Sequence, residues 1–168
     1  MTSSLEALTS LAHQIDEHGD WWRFPTESIV QGFMGSDQLF IVGDQPSTSP
    51  WEYHNPNRRA FYDALASVGA QNAHVTDLYK KRGPSGALRS GLPSDFGEHL
   101  GLFRRELEVL RPRRVVALGA HAYDLLHEHV PEIRPLLARL WHFAYAVRYN
   151  KMAEYPERMR IAFASQGV

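Results

Sequence analysis

Short apolar runs alternate with segments of helical periodicity, and this alternation constrains the fold of the chain more than any other feature. Residues 38–42, 73–78 and 114–119 form three such runs, and residues 140–147 form a fourth. Runs of this kind, bounded by Gly or Pro, are typical of strands buried in a parallel sheet. Strands that alternate with helices are joined by right-handed βαβ connections. We therefore predict an α/β fold, a three-layer sandwich whose central, mostly parallel four-stranded sheet has helices on both faces.

The segments around the strands carry apolar residues at helical spacing, or a residue suited to cap a helix. They predict helices over residues 4–18, 26–33, 58–68 and 120–129, and one from a cap at Ser94 or Asp95 to Leu110. At 168 residues the chain is long enough to bury one sizeable core. We predict a single domain over 1–168, with an N-terminal helical segment over about 1–35 and a core over about 36–150.

Composition argues against several classes of protein. The chain has no cysteine, which rules out disulfide bonds and thiolate metal sites within it. Its net charge of −1 weakens the bulk electrostatic case for nucleic-acid binding. No apolar run is long enough to span a bilayer, and the N-terminal residues lack the basic start of a signal peptide. We therefore expect a cytoplasmic protein with no membrane partner.

Polar side chains follow three of the predicted strands. Asp44 and Gln45 follow the first, Asp77 lies near the end of the second, and His121 follows the third. In a parallel sheet these carboxyl ends lie on one rim, where α/β proteins bind ligands. The loop over 44–57 starts from the same rim, and structureless loops of this length are usually functional. An Asp after a strand also serves as a turn or capping residue, and this alternative stays open.

Several common site motifs are absent from the sequence. It has no G-x-G-x-x-G dinucleotide fingerprint, no G-x-x-x-x-G-K-[ST] phosphate loop and no G-x-S-x-G nucleophile elbow. The nine histidines are scattered, and the spacing of His127 and His129 does not put two ligands on one helical face. We therefore expect no metal, and the chemistry considered below requires no cofactor.

The motifs at the strand ends resemble those of the uracil-DNA glycosylase superfamily. The turn Gly43-Asp44-Gln45-Pro46 resembles the G-x-x-P element that ends the first core strand of that family. The segment 53–61 resembles the F-x-H-P-x-N-R-F-W segment of its mismatch-specific branch. Residues 75–82 resemble its T-N-x-x-K element, and residues 114–119 match a core strand of the superfamily. The resemblance covers roughly residues 36–150.

The resemblance implies a DNA glycosylase that hydrolyses the N-glycosidic bond of a deaminated or damaged base flipped into a pocket. Asp44 would activate or orient the water, with Gln45 assisting or substituting for it. Tyr53 would stack on the base, with Trp51 as the alternative. Asp77 and His142 would also bind the base. Four residues would contact DNA phosphates: Ser47, Lys80, Lys81 and Arg82. The expected partner is duplex or single-stranded DNA, and the expected state is a monomer.

The sequence departs from the family pattern in two places. Asp77 stands where the family usually has Asn, and an ionised Asp only accepts hydrogen bonds. We therefore expect a base with an exocyclic amine, or a site not tuned to uracil, unless Asp77 is protonated. The late H-P-S-type loop has no clear copy. Its place holds residues 141–150, with His142 as a remnant and Tyr145 or Tyr149 as a wedge, or else an apolar strand with core aromatics.

Two other functions stay open. The first is a non-catalytic protein that binds nucleic acid or nucleotides and retains the glycosylase fold, which the altered late loop and the small net charge favour. The set of strand-end side chains, Asp44, Gln45 and Asp77, favours the enzyme instead. The second is an unrelated α/β enzyme that acts on a small substrate.

Overall fold

A computed structural model of the chain describes residues 3–164 and has a four-stranded sheet between two layers of helices. The other residues of the predicted 1–168 domain, 1–2 and 165–168, lie outside the described residues. The helices and strands in chain order are α1 (Ser4–Asp16), β1 (Leu39–Gly43), α2 (Pro56–Ser67), β2 (His74–Asp77), α3 (Phe96–Leu110), β3 (Arg114–Leu118), α4 (Ala120–His129), β4 (Leu137–Leu140), α5 (Phe143–Arg148) and α6 (Tyr155–Phe163). The predicted three-layer α/β sandwich is confirmed.

All four strands run parallel, in the order β2-β1-β3-β4. The register sets Gly43 of β1 opposite Asp77 of β2, and Val42 of β1 opposite Ala117 of β3. From β1 the chain crosses to β2 on one side and later to β3 on the other, so the strand order reverses at β1. In open α/β sheets a crevice forms at such a reversal, outside the carboxyl ends of the strands, and ligands bind there.

Successive side chains of β1 pack into two separate hydrophobic cores, because side chains alternate along a strand. Phe40 and Val42 belong to the core formed with α1, α3 and α4. Ile41 belongs to the core formed with α2, α5 and α6. Both faces of the strand are therefore buried, which explains why its sequence is continuously apolar. Among residues 3–164 no helix is both long and apolar enough to cross a bilayer.

The helix predicted over residues 26–33 is wrong. Glu27 and Val30 exchange two backbone hydrogen bonds across a tight turn, each 3.0 Å long. Ser28 and Gly32 have φ angles of 52° and 59°, and this left-handed conformation interrupts a right-handed helix at both positions. The hydroxyl of Thr26, the predicted cap, donates instead to the carbonyl of Gln31 at 2.9 Å. A single 3₁₀ turn over Gly32–Met34 follows.

The fourth strand predicted over residues 140–147 is also wrong in its position. β4 ends at Leu140, and most of the predicted span belongs to α5. Nδ1 of His142 caps this helix by accepting a hydrogen bond from the backbone N–H of Ala144 at 3.1 Å. Phe143 and Ala146 are buried one helical turn apart. In a short apolar run that spacing cannot be told from a strand by periodicity alone.

Helix α6 extends the packed core past residue 150, the predicted end of the core. Tyr155, Met159 and Ala162 of this helix are buried at helical spacing and pack in the same core as Ile41. The Tyr155 hydroxyl donates to the carbonyl of Trp141 at 2.7 Å. The helix thereby fixes the start of the segment that carries His142.

Candidate functional site

A cavity of about 500 Å³ opens at the carboxyl ends of β1, β2 and β3, where the strand order reverses. Its volume lies within the range of roughly 300–1,000 Å³ that is usual for small-molecule pockets. The side chains in its wall that bear most on chemistry are Asp44, Gln45, Trp51, Asp77, His121 and His142. Five of these six are predicted site residues. The sixth, His121, follows a predicted strand and has no predicted role.

Asp44 contacts His121 across the two central strands. Asp44 directly follows β1, and His121 lies in the first turn of α4, directly after β3. Nδ1 of His121 is 3.1 Å from Oδ2 of Asp44, and the two side chains are 16% and 23% exposed. An imidazole nitrogen that faces a carboxylate carries the proton, so Nε2 is the acceptor of the neutral ring. The contact forms a carboxylate–imidazole dyad suited to general acid–base chemistry.

Asp77 is the buried carboxyl of the site. A Cβ atom at Gly43 would come within 2.3 Å of Asp77 Oδ1, so only glycine at position 43 leaves room for this carboxyl group. The other oxygen, Oδ2, is buried and has no hydrogen-bond partner among the described residues. Burial, and secondly the negative charge of Asp44, raises the pKa of Asp77 to about 8. Asp77 is therefore a neutral carboxylic acid at pH 7, with one O–H donor and one carbonyl acceptor.

Gln45 is held by the segment that follows β2. Its Nε2 donates to the carbonyl of Lys81 at 3.4 Å, and a Cβ atom at Gly83 would lie only 2.2 Å from the same nitrogen. The amide oxygen Oε1 is buried in the cavity wall without a partner among the described residues. Gln45 thus sits beside Asp44 with an acceptor that a ligand can use.

Trp51, not Tyr53, lies in the cavity wall. The indole of Trp51 packs against Trp22 and Phe24, with ring centroids 5.6 and 5.5 Å away, and its Nε1 donates to Glu27 at 2.8 Å. Tyr53 lies outside the cavity wall, and its hydroxyl donates to Asp63 at 3.1 Å on the surface. The position of Tyr53 therefore does not support its predicted stacking role, whereas Trp51, the predicted alternative, lines the cavity.

Lys80 is buried, and the structure does not support its predicted contact with a phosphate. Its Nζ bonds Thr76 Oγ1 at 2.7 Å and the backbone carbonyl of Asp77, and it pairs with Oε1 of Glu106 at 2.7 Å. The other carboxylate oxygen of Glu106 lies 3.0 Å from Nε2 of His74. This network connects the end of β2 to α3. The charge of Lys80 is paired with Glu106 in the interior and is therefore not available to a ligand.

The other three predicted phosphate contacts differ in their positions. Lys81 lies outside the cavity wall and pairs with Asp20 at 3.1 Å on the surface, so the structure does not support its predicted role. Ser47 and Arg82 both line the cavity. Arg58 lines it as well and is not among the predicted site residues. Its place in the first turn of a helix that follows the long loop is the signal that could have indicated it.

His142 follows β4 by two residues and lines the cavity. Its Nδ1 accepts a hydrogen bond from Ala144, so the proton of the neutral ring is on Nε2. Burial lowers the pKa of His142 and keeps the ring neutral at pH 7, although Asp44 opposes the shift. The exposed rings of Tyr145 and Tyr149 pack against each other at an angle of 45° outside the cavity wall, so a wedge role for either stays a prediction.

The site combines an acid–base dyad, a neutral carboxyl, a neutral imidazole and an aromatic wall in one cavity. Such a set can bind a planar, hydrogen-bonding ring and position water beside it. Within residues 3–164 no three His, Asp or Glu side chains lie close enough together to hold a metal ion. A comparison with protein-family models gives no match, and none of the curated proteins matches the chain in sequence.

Proposed function

We propose that this protein is a DNA glycosylase that hydrolyses the N-glycosidic bond of a deaminated base bound in the cavity, as in base-excision repair in the cytoplasm. One observation carries the proposal: the Asp44–His121 dyad and the neutral Asp77 share one cavity. Two carboxyl groups with opposite protonation states can divide the work between them. The charged Asp44 would lie at the bond that breaks, and the neutral Asp77 would form hydrogen bonds with the edge of the base.

The neutral Asp77 suits the edge of a deaminated base. Uracil and hypoxanthine each offer a ring N–H donor beside a carbonyl acceptor, and a carboxylic acid offers the complementary pair. The sequence-based expectation of an exocyclic amine assumed an ionised Asp77. Since burial and Asp44 raise the pKa of Asp77 to about 8, that assumption no longer holds at pH 7. Trp51 would stack on the same base from the wall of the cavity.

Asp44 would act at the sugar. Its carboxylate would orient a water molecule toward the anomeric carbon and balance the positive charge that develops there. As the water oxygen bonds to that carbon, its proton passes to Asp44, and the C–N bond electrons leave with the base. The Nε2–H of His142 would donate to a base carbonyl and so stabilise the departing negative charge. His121 would hold Asp44 in place through its Nδ1–H.

Labelled oligonucleotides containing uracil, hypoxanthine, xanthine or a T/G mismatch test the proposal. Alkali cleaves the strand wherever a base has been removed, so strand breaks report glycosylase activity. We expect breaks with at least one deaminated base, and a loss of about 100-fold or more in Asp44→Ala. Asp124→Ala, which changes an exposed aspartate of α4, is the matched control. Binding without breaks at any of these bases would favour the non-catalytic alternative and refute the enzyme.

A further inference from the structure

We propose that Arg58 and Arg82 form a phosphate-binding site in the cavity wall, which holds a phosphate group of the nucleotide whose base enters the cavity. The inference rests on the proposed function for the identity of that nucleotide. The phosphate itself is recognised by chemistry that does not depend on base removal.

The two guanidinium groups converge on one short stretch of loop. Nη2 of Arg58 donates to the hydroxyl of Ser47 and to the carbonyl of Ser49, both at 3.2 Å. Nη1 of Arg82 donates to the carbonyls of the same two serines, both at 2.9 Å. Arg58 comes from the first turn of α2, and Arg82 comes from the segment after β2. Two distant parts of the chain thus place two positive charges side by side.

Neither charge is neutralised within the described residues. The structure has no carboxylate within 4.0 Å of either guanidinium among residues 3–164, whereas Arg23 and Arg104 each bind one at 2.8–2.9 Å. Burial, and secondly the neighbouring charge of Arg82, lowers the pKa of Arg58, although the more distant charge of Glu52 opposes the shift. Two like charges held together without a directly paired carboxylate are stabilised by an anion that binds between them.

The guanidinium groups are also held in orientation. Cζ of Arg58 lies 5.6 Å from the ring centroid of Trp51, and Cζ of Arg82 lies 5.3 Å from that of Trp22. Each guanidinium has five N–H donors, and each uses a single terminal nitrogen for the loop contacts above. The remaining donors are available for the bidentate contacts that arginine makes with phosphate. Because the two indoles line the same cavity, a base and its phosphate can be bound together.

Bracing of the loop is the competing explanation for these contacts. If the arginines serve only to hold residues 47–49, removing them would disturb the loop, and phosphate would bind no better to the parent protein than to the variants. A phosphate site predicts instead that phosphate stabilises the parent and that this stabilisation depends on both charges.

Thermal unfolding with inorganic phosphate separates the two explanations. At matched ionic strength we expect phosphate to raise the Tm of the parent relative to chloride, and the rise to disappear in the double variant Arg58→Gln/Arg82→Gln. Arg160→Gln removes an exposed arginine of α6 that pairs with Glu157, and it should keep the full rise. Arg58→Lys/Arg82→Lys retains the charges and should retain part of it. A rise of equal size in the parent and the Gln double variant would overturn the proposal.

Binding of nucleotides then identifies the source of the phosphate. The first probe is a fluorescein-labelled single strand with 2′-fluoro-deoxyuridine, whose glycosidic bond resists hydrolysis. The second is a comparison of the affinity for deoxyuridine monophosphate with the affinity for deoxyuridine. For the strand, each Arg→Gln change should weaken binding about tenfold and reduce the salt dependence by about one phosphate contact. If the parent prefers the monophosphate over the nucleoside and both variants lose this preference, the site binds free nucleotides. Unchanged affinity of both probes in the variants would refute the site.

The proposed function can fail without this inference. If the parent protein breaks no strand but binds phosphate through the two arginines, the phosphate site stands and the glycosylase does not. If it breaks strands and the arginine variants behave like the parent, the enzyme stands and the phosphate site does not.

Discussion

Replacing Asp77 by Asn is expected to stabilise the protein at neutral pH and to change its stability little in acid. In the folded protein, burial and the charge of Asp44 raise the pKa of Asp77 from the ordinary value of 3.8 to about 8. The unfolded chain therefore releases this proton near pH 3.8, whereas the folded protein keeps it until about pH 8. Between pH 3.8 and about pH 8 the side chain is ionised in the unfolded chain, and it must take up a proton when the chain folds. Asn has nearly the same shape and carries no such penalty.

The magnitude and its sign follow from linkage. Between pH 3.8 and about 8 the folded state binds more protons than the unfolded state, so the free energy of unfolding falls as the pH rises. Each pKa unit corresponds to about 1.4 kcal/mol. At pH 7 the ionisable side chain thus costs about 4 kcal/mol, and above pH 8 the cost levels off at about 6 kcal/mol. Asp77→Asn should recover most of this at neutral pH.

Urea unfolding followed by tryptophan fluorescence, from about pH 4 to about pH 9, measures the difference directly. The gap between Asp77→Asn and the parent should widen with pH up to about pH 8 and then level off. Asp124→Asn, in an exposed position on α4, should show no such trend. A gap that stays constant over the whole range would mean that Asp77 ionises normally. The neutral donor assigned to it in the cavity would then be wrong.

Three further predictions concern the Lys80–Glu106 ion pair, Gly43 and the aromatic wall of the cavity. Glu106→Gln leaves the buried ammonium of Lys80 without its counter-charge and should cost about 3–5 kcal/mol in urea unfolding, so a loss below about 1 kcal/mol would contradict the ion pair. Gly43→Ala places a methyl group 2.3 Å from Asp77 Oδ1 and should abolish base binding in calorimetry while the protein still folds. Intact binding in that variant would remove Asp77 from the base site. Trp51→Ala should weaken nucleoside binding by about 1–3 kcal/mol, whereas Tyr53→Ala should not, and the reverse order would restore the sequence-based assignment.

The first three strands could be predicted from sequence to within a residue because each is a short apolar run between polar or turn residues. The predicted run 114–119 and the observed β3 differ by one residue. The segment 140–147 could not be resolved in this way. Its apolar residues fit both a strand and one turn and a half of helix. In the structure His142 caps the helix by accepting a hydrogen bond from Ala144, a detail that periodicity does not contain.

The site was predictable in its location but not in its contacts. Asp44 and Asp77 follow strands, and any parallel sheet brings such residues to one rim. Which of them meet depends on the strand order, which the sequence does not state. Lys80 shows the limit most clearly. A lysine in a basic loop is usually solvated, and its burial depends on Glu106, on a helix whose approach to β2 only the folded structure determines.

The Asp44–His121 contact joins side chains 77 positions apart in the chain. It can form only after β3 has inserted beside β1, and that pairing closes a long loop and so belongs to the slower events of folding. Before β3 pairs with β1, the residues that line the cavity are not yet assembled around it. The ring signals of His121 in an NMR spectrum would therefore report when the sheet is complete, and a fragment that ends before β3 would lack the dyad altogether.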